Sequence, residues 1–170
     1  EKLKIPIRHP NSLHNNIELD YIKNAEIDFV VVVAYGQIIP DSFLNIKDLT
    51  FLNVHSSLLP RWRGAAPIQR SIMEMDKETG ISIMKIEKKL DAGPYIKQVS
   101  VKISKETTSG ELLEKLSKMG SIALADSIKL INTKKAIFQK QNEDDATYAN
   151  KIDKVETKID WNDKAENVIA

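Results

Sequence analysis

The stretch FVVVVA, residues 29–34, is the longest purely apolar run of the chain and decides the fold class. A short β-branched run without alternation is typical of a parallel strand that is covered on both faces. Residues 15–28, just before it, place apolar side chains at helical spacing and predict a helix that leads into this strand. A helix followed by a fully buried strand indicates an α/β protein.

The next segments extend the same sheet. After a glycine–proline turn and a short predicted helix, residues 49–57 (LTFLNVHSS) predict a second buried strand. Residues 64–76 predict a helix with Pro67 in its first turn, and Gly80 is expected to end it. These segments continue the alternation of helix and strand that parallel sheets require.

Two further features complete the first domain. Residues 81–87 and 95–103 show period-two alternation and predict an antiparallel strand pair at one side of the sheet. Thr108 and Glu111 form a capping-box pattern, which predicts the start of a long helix that ends near Asn132. The expected architecture is a mostly parallel sheet with an antiparallel pair at one side.

The composition of the chain changes after this helix. Residues 135–158 are polar and mixed in charge without a sustained period, so they are predicted to be a linker that runs over the surface. The apolar content restarts at IDW, residues 159–161. We therefore predict a first domain over residues 1–134, a linker over residues 135–158 and the start of a second domain at residues 159–170.

The overall composition excludes several classes of function. The 170 residues carry 25 Lys and Arg against 24 Asp and Glu, so a basic surface must be local. The absence of cysteine excludes disulfides, thiolate metal sites and a cysteine nucleophile, and it fits a reducing cytoplasm. Dispersed histidines without H-E-x-x-H predict no metal site, and the six glycines form no phosphate-binding motif. The apolar run at residues 29–34 is far below the roughly 18 residues of a membrane span.

Polar residues stand at the end of the second predicted strand. Asn53 and His55 alternate, so both project to one face at the edge where open α/β sheets bind ligands. A carboxamide and an imidazole that converge suit acyl transfer, in which charge develops on a carbonyl oxygen and a proton must move. Asp91, in the connector of the antiparallel pair, is expected to orient the imidazole. The alternative is that all three are structural, with Asp91 starting a turn.

The loop after this strand carries two cations and an aromatic side chain. Arg61, Trp62 and Arg63 are expected to be exposed, which predicts an anionic ligand beside the site. The alternative is a solvated basic turn. Ser56 and Ser57 lack a nucleophile-elbow motif and are interpreted as turn residues, as His9 and His14 are interpreted as surface histidines.

These motifs resemble a known family. NVHSSLLPRWRGAAPIQR, residues 53–70, followed by LDAGP, residues 90–94, is similar to the 10-formyltetrahydrofolate-dependent formyltransferases. Within that family, RWRGAAPIQR, VVVVAYGQIIP at residues 30–40 and YANKIDKVETKIDW at residues 148–161 resemble the branch that acts on methionyl-tRNA. The resemblance covers nearly the whole chain. It also implies that the leading portion of a Rossmann-like domain and most of a carboxyl-terminal domain are lacking.

The resemblance implies a reaction and a set of residues. The formyl group of 10-formyltetrahydrofolate, a co-substrate, would pass to the α-amino group of methionyl-initiator tRNA without a metal, in a monomeric protein. Asn53, His55 and Asp91 match the catalytic residues. The resemblance places folate at Tyr35, Gly36, Gln37, Ile38, Leu90, Ala92 and Gly93, and the substrate loop at Ser57, Leu58, Leu59, Pro60, Arg61, Trp62, Arg63 and Gly64. The alternatives are formylation of a sugar amine or purine precursor, and a folate- or RNA-binding module without catalysis.

Overall fold

The computed structural model describes residues 3–165 and residue 168. Its helices and strands follow the predicted order closely. The helices are α1 (Asn16–Asn24), α2 (Asp41–Leu44), α3 (Pro67–Met73) and α4 (Ser109–Asn132), with a 3-10 turn at Glu143–Asp145. The strands are β1 (Phe29–Val32), β2 (Thr50–His55), β3 (Arg63–Gly64), β4 (Glu78–Lys85), β5 (Tyr95–Lys102) and β6 (Tyr148–Ala149).

Four strands form the main sheet in the order β1-β2-β4-β5. β1 and β2 run parallel, whereas β4 is antiparallel to both β2 and β5. The α/β class and the antiparallel pair at one side are confirmed. Among the described strands of the main sheet, β1 and β2 form the parallel part, and the pairs β2–β4 and β4–β5 are antiparallel.

The burial of β1 differs from the prediction. The apolar run was expected to be covered on both faces, yet Val31 and Val33 are 39% and 60% exposed. None of the residues of α1, all of which the structure describes, is buried. The reason is position in the sheet, because α4 packs on β4 and β5, and among the described strands β1 lies at the opposite end of the order from β5.

Gly80 was expected to end the third helix, and the structure corrects this expectation. α3 ends at Met73, where the backbone N–H of Glu74 returns to helix carbonyls, and Gly80 lies inside β4. A Cβ at Gly80 would overlap the carbonyl oxygen of Val99 on β5 and lie 2.6 Å from Cδ2 of Leu58. Gly80 therefore serves close packing rather than helix termination.

The core lies between α4 and the strands β4 and β5. Ile81, Ile83, Leu112, Leu116 and Ala123 are all buried in one cluster. The capping box is confirmed, because the Thr108 side chain accepts from the backbone N–H of Glu111 and the Glu111 carboxylate accepts from the backbone N–H of Thr108. α4 ends at Asn132, as predicted. Within the described residues no helix combines the length and apolarity needed to span a bilayer.

The segment of residues 139–149, which we call the strap, returns to the sheet after α4. Gln139 bridges the backbone of Tyr95, and β6 pairs in parallel with β3. The strap thus packs specifically within the region expected to be a surface linker. The division at residues 135–158 and 159–170 stays a prediction, and residues 166, 167, 169 and 170 lie outside the described part of the chain.

Candidate active site

The three side chains singled out from the sequence converge on one face of the sheet. Asn53 and His55 are in the last three residues of β2, and Asp91 lies in the connector between β4 and β5. The distance from Nδ2 of Asn53 to Oδ1 of Asp91 is 3.4 Å, and that from Nδ1 of His55 to Oδ2 of Asp91 is 3.7 Å. Val54, between them, points to the opposite layer, where its side chain meets Gly120 of α4. The three side chains expected to act together therefore do lie together, and a purely structural role for them would have to account for this arrangement.

The tautomer of His55 follows from its backbone partner. Nε2 lies 2.8 Å from the carbonyl oxygen of Trp62, in a site where His55 is only 5% exposed. Because a carbonyl oxygen can only accept, Nε2 must carry a hydrogen, and the neutral ring has its lone pair on Nδ1. Nδ1 is thus the atom of this ring that gains or loses a proton, and Asp91 stands beside it.

The Asp91 carboxylate is held by donors from two elements. Its Oδ2 accepts from the backbone N–H of Gly64 at 2.8 Å, while Oδ1 faces the Asn53 amide. Gly64 has φ +112°, and a Cβ there would lie 2.9 Å from the carbonyl oxygen of Ala149, so a glycine is required. The carboxylate is thereby fixed beside Nδ1 of His55, with Oδ2 and Nδ1 3.7 Å apart.

The structure corrects the expectation that the basic loop is exposed. Trp62 is 8% exposed and Arg63 is fully buried. Arg61 is exposed, but its guanidinium makes two hydrogen bonds to Asp76, at 2.9 and 2.6 Å, and stacks on the Trp62 ring. Asp76 also accepts from Nε1 of Trp62 at 2.7 Å. The prediction of an anionic ligand from free cations here loses its support, because both guanidinium groups already have carboxylate partners.

Arg63 joins the basic loop to the strap. Its Nε donates to Oε1 of Gln141 at 2.9 Å, and its two terminal nitrogens donate to the Glu143 carboxylate at 3.1 and 3.0 Å. Glu143 also contacts Lys89. The hydrogen bonds from Arg63, reinforced by Lys89, lower the pKa of Glu143 from 4.5 to about 2. The sequence analysis did not predict a role for these strap residues. The acidic run at residues 143–145 was a usable signal, because it could pair with the two arginines of the basic loop.

A pH series of unfolding should isolate the Arg63–Glu143 ion pair. Because the pKa of Glu143 is lowered to about 2 on folding, the stability it contributes is fully present above pH 4.5 and is lost as the pH falls through about 2. Glu143→Gln should lower the Tm at pH 7, and its difference from the wild type should shrink between pH 4.5 and 2. Circular-dichroism melts measure this.

The control for that series is Asp144→Asn, which removes the same charge from the exposed neighbouring residue. Its Tm difference from the wild type should change less over the same range. A Glu143→Gln difference that stays constant from pH 7 to pH 2 would contradict the assignment of the ion pair.

The residues expected to bind folate divide between two loops. Tyr35, Gly36, Gln37 and Ile38 are exposed in the loop after β1, at the sheet edge where β2 also ends. Leu90, Ala92 and Gly93 flank Asp91 in the β4–β5 connector, with Leu90 exposed and Gly93 buried against the carbonyl oxygen of Lys85. The first loop follows Val32, which pairs with Asn53, and the second loop contains Asp91. The role of both loops stays a prediction.

The predicted substrate loop is more buried than an open binding loop. Ser57 and Leu59 are buried, and Ser57 Oγ donates to the carbonyl oxygen of Arg61 at 2.5 Å, which confirms its interpretation as a turn residue. Ser82 Oγ accepts from the N–H of Leu59 and donates to the Ser57 carbonyl. The loop from Ser57 to Gly64, which includes Leu58 and Pro60, is therefore held in place by internal hydrogen bonds beside the site. His9 and His14 are exposed, as predicted.

Comparison with known proteins decides the family. A family model described as formyl transferase matches residues 2–128. The chain belongs to the formyl transferase family. Asn53, His55 and Asp91 all lie within the matched range.

Relatives of the formyl transferase chain carry a more specific name. It is 48% identical over 170 residues to the methionyl-tRNA formyltransferase of Pelagibacter ubique, covering 99% of this chain and 55% of that protein. It is 45% identical to the methionyl-tRNA formyltransferase of Nitrosospira multiformis, covering 95% and 50%. The chain spans about half the length of the curated relatives it matches.

Solved structures share the fold of the formyl transferase chain. WlaRD, a sugar 3N-formyl transferase, matches with a TM-score of 0.73 at 22% identity, over 85% of this chain and 54% of that one. HypX from Aquifex aeolicus in complex with tetrahydrofolic acid matches with a TM-score of 0.78 at 13% identity, over 91% and 27%. At these identities the likeness establishes the fold alone.

Proposed function

We propose that this protein transfers the formyl group of 10-formyltetrahydrofolate to the α-amino group of methionyl-initiator tRNA. The observation that carries the proposal is the meeting of Asn53, His55 and Asp91 on one face of the sheet. The relatives named above favour methionyl-tRNA as the acceptor. Because this chain covers only about half of each relative, the identity of the acceptor is proposed for the full-length protein.

The chemistry is a direct attack of the amine on the formyl carbon. A tetrahedral intermediate forms, its oxygen carries negative charge, and the bond from carbon to the folate nitrogen then breaks. Nδ2 of Asn53 and the protonated Nδ1 of His55 donate to that oxygen. His55 then gives its Nδ1 proton to the departing folate nitrogen, and the neutral Nδ1 takes up the proton that the amine loses, which restores the imidazolium. Asp91 stabilises the imidazolium while it holds the proton.

The arrangement of the remaining parts belongs to the same proposal. The loops containing Tyr35–Ile38 and Leu90–Gly93 would hold the pterin part of the folate through backbone groups, and the loop from Ser57 to Gly64 would border the substrates. Residues 1–134 would form part of the catalytic domain and residues 135–158 the linker. A cytoplasmic location and a monomeric state stay predictions.

An assay that offers each acceptor in turn tests the proposal. The full-length protein and 10-formyltetrahydrofolate are mixed with methionyl-initiator tRNA, with a nucleotide-linked amino sugar or with glycinamide ribonucleotide, and the formylated product is measured. We expect transfer to methionyl-tRNA alone, because the relatives of 45–48% identity carry that name.

The other outcomes separate the alternatives. Transfer to the amino sugar or to the ribonucleotide, but not to methionyl-tRNA, would keep the chemistry and overturn the acceptor. Folate binding without transfer to any of the three acceptors would favour a binding module.

A further inference from the structure

Two polar groups that lie beside the nitrogens of the His55 ring come from residues with positive φ, which is unfavourable for residues other than glycine. Trp62, whose carbonyl oxygen meets Nε2, has φ +63°, and Asp91, whose carboxylate faces Nδ1, has φ +47°. Residues other than glycine rarely adopt positive φ, and they persist there when the surroundings hold them. The position of both groups is therefore sensitive to the contacts that surround Trp62 and Asp91.

The strap supplies that support at Asp91. Nε2 of Gln141 donates to the carbonyl oxygens of Asp91 and Gly93, both at 2.8 Å. Oε1 of the same side chain accepts from Nε of Arg63 at 2.9 Å. Both hydrogens of the Gln141 amide nitrogen and one lone pair of its oxygen are thus engaged, and the side chain is only partly exposed. Gln141 grips the backbone on either side of Ala92.

The strap also supports Trp62. Oγ1 of Thr147 accepts from the backbone N–H of Trp62 at 2.9 Å, and the carbonyl oxygen of Thr147 accepts from the backbone N–H of Arg63, also at 2.9 Å. Two residues of the strap, six positions apart, therefore hold the two residues that contact His55. The strap lies roughly 80 positions from the basic loop in sequence. Gln141 and Thr147 each use a side chain to bond the backbone, at Asp91 and at Trp62.

We propose that Gln141 is a positioning residue for the formyl-transfer reaction. By fixing the peptides that flank Ala92, it sets the position of the Asp91 carboxylate against Nδ1 of His55 and Nδ2 of Asn53. It touches neither of those side chains and acts through Asp91. This inference rests on the proposed function, because the reaction it serves is the one proposed above.

The test is a pair of substitutions at Gln141 in the full-length protein. Gln141→Met keeps the size of the side chain and removes every hydrogen bond. Gln141→Glu keeps the acceptor for Arg63, which preserves the docking of the strap, and removes both donors to the loop. Each variant should lower kcat about 10-fold to 100-fold, because a displacement near 1 Å at a reacting group has effects of that size. The KM for methionyl-tRNA should stay within threefold, since Gln141 is given no contact with the acceptor.

A matched control and a double variant separate positioning from folding. Gln139→Met makes the same change at an exposed glutamine of the strap whose backbone, rather than its side chain, bridges Tyr95, and it should leave kcat unchanged. In an Asp91→Asn background, followed in single turnovers with enzyme in excess, Gln141→Met should lower the rate less than twofold further. Residues that act as one unit are non-additive in this way.

Three results would overturn the inference. These are a Gln141→Glu enzyme with kcat within twofold of the wild type, an equal loss in Gln139→Met, or a full multiplicative loss in the Asp91→Asn background. The last would also be the signature of a merely structural residue. Failure of the proposed function is recognised separately, because the wild type itself would then transfer no formyl group to methionyl-tRNA.

Discussion

Replacing His55 by glutamine is expected to lower kcat for formyl transfer by about 10²–10⁴, the range typical of a positioned acid–base group. The glutamine amide can still donate to the carbonyl oxygen of Trp62, which His55 meets through Nε2 at 2.8 Å. What disappears is Nδ1, the atom beside Asp91 that gains and loses the proton. The substitution therefore removes the proton carrier and keeps the contact that holds the basic loop.

Steady-state formylation of methionyl-tRNA by the full-length protein measures this effect, and equilibrium binding of a reduced folate shows whether the site stays intact. Folate affinity should change less than threefold. His14→Gln is the control, because it makes the same change at an exposed histidine. Equal losses of folate affinity and of kcat in His55→Gln would indicate that His55 is a packing residue instead.

Local signals in the sequence predicted most of the fold. The capping box at Thr108 and Glu111, the proline at the start of α3 and the alternation in β4 and β5 each depend on neighbours within a few residues, and all three elements are present. The exposure of β1 and the place of Gly80 depend instead on what lies beside them in space. Gly80 is required by the backbone of β5 and by Leu58, which no pattern around residue 80 records.

The same distinction divides the site. Asn53 and His55 share a face because side chains alternate along a strand, so their pairing follows from sequence alone. Asp91 joins them because the β4–β5 connector folds back over that face. Its approach could not be read from strand alternation and was expected only because a carboxylate commonly partners an imidazole. The hydrogen bonds that hold the Trp62 backbone and the buried Arg63 side chain were missed because they come from the strap, residues 139–149.

Asn53→Ala is expected to lower kcat by about 10²–10³, the loss typical of removing one donor to a developing oxyanion. The amide nitrogen of Asn53 carries two hydrogens, and Asp91 Oδ1, at 3.4 Å, accounts for one of them. The other remains to donate to the formyl oxygen. Asn53→Asp keeps the shape but replaces the donor with a carboxylate beside Asp91, so its loss should be at least as large.

The kinetic pattern of Asn53→Ala distinguishes stabilisation of the transition state from substrate binding. An interaction made only in the transition state lowers kcat and kcat/KM equally, whereas one made equally with bound substrate raises KM and leaves kcat unchanged. We therefore expect equal losses in full-length protein assayed with methionyl-tRNA. Asn132→Ala, at the exposed end of α4, is the control. A raised KM for the folate with normal kcat would show that Asn53 binds the folate in the ground state rather than stabilising the oxyanion. A wild-type rate would show that Asn53 takes no part in the reaction, which would leave His55 as the sole donor.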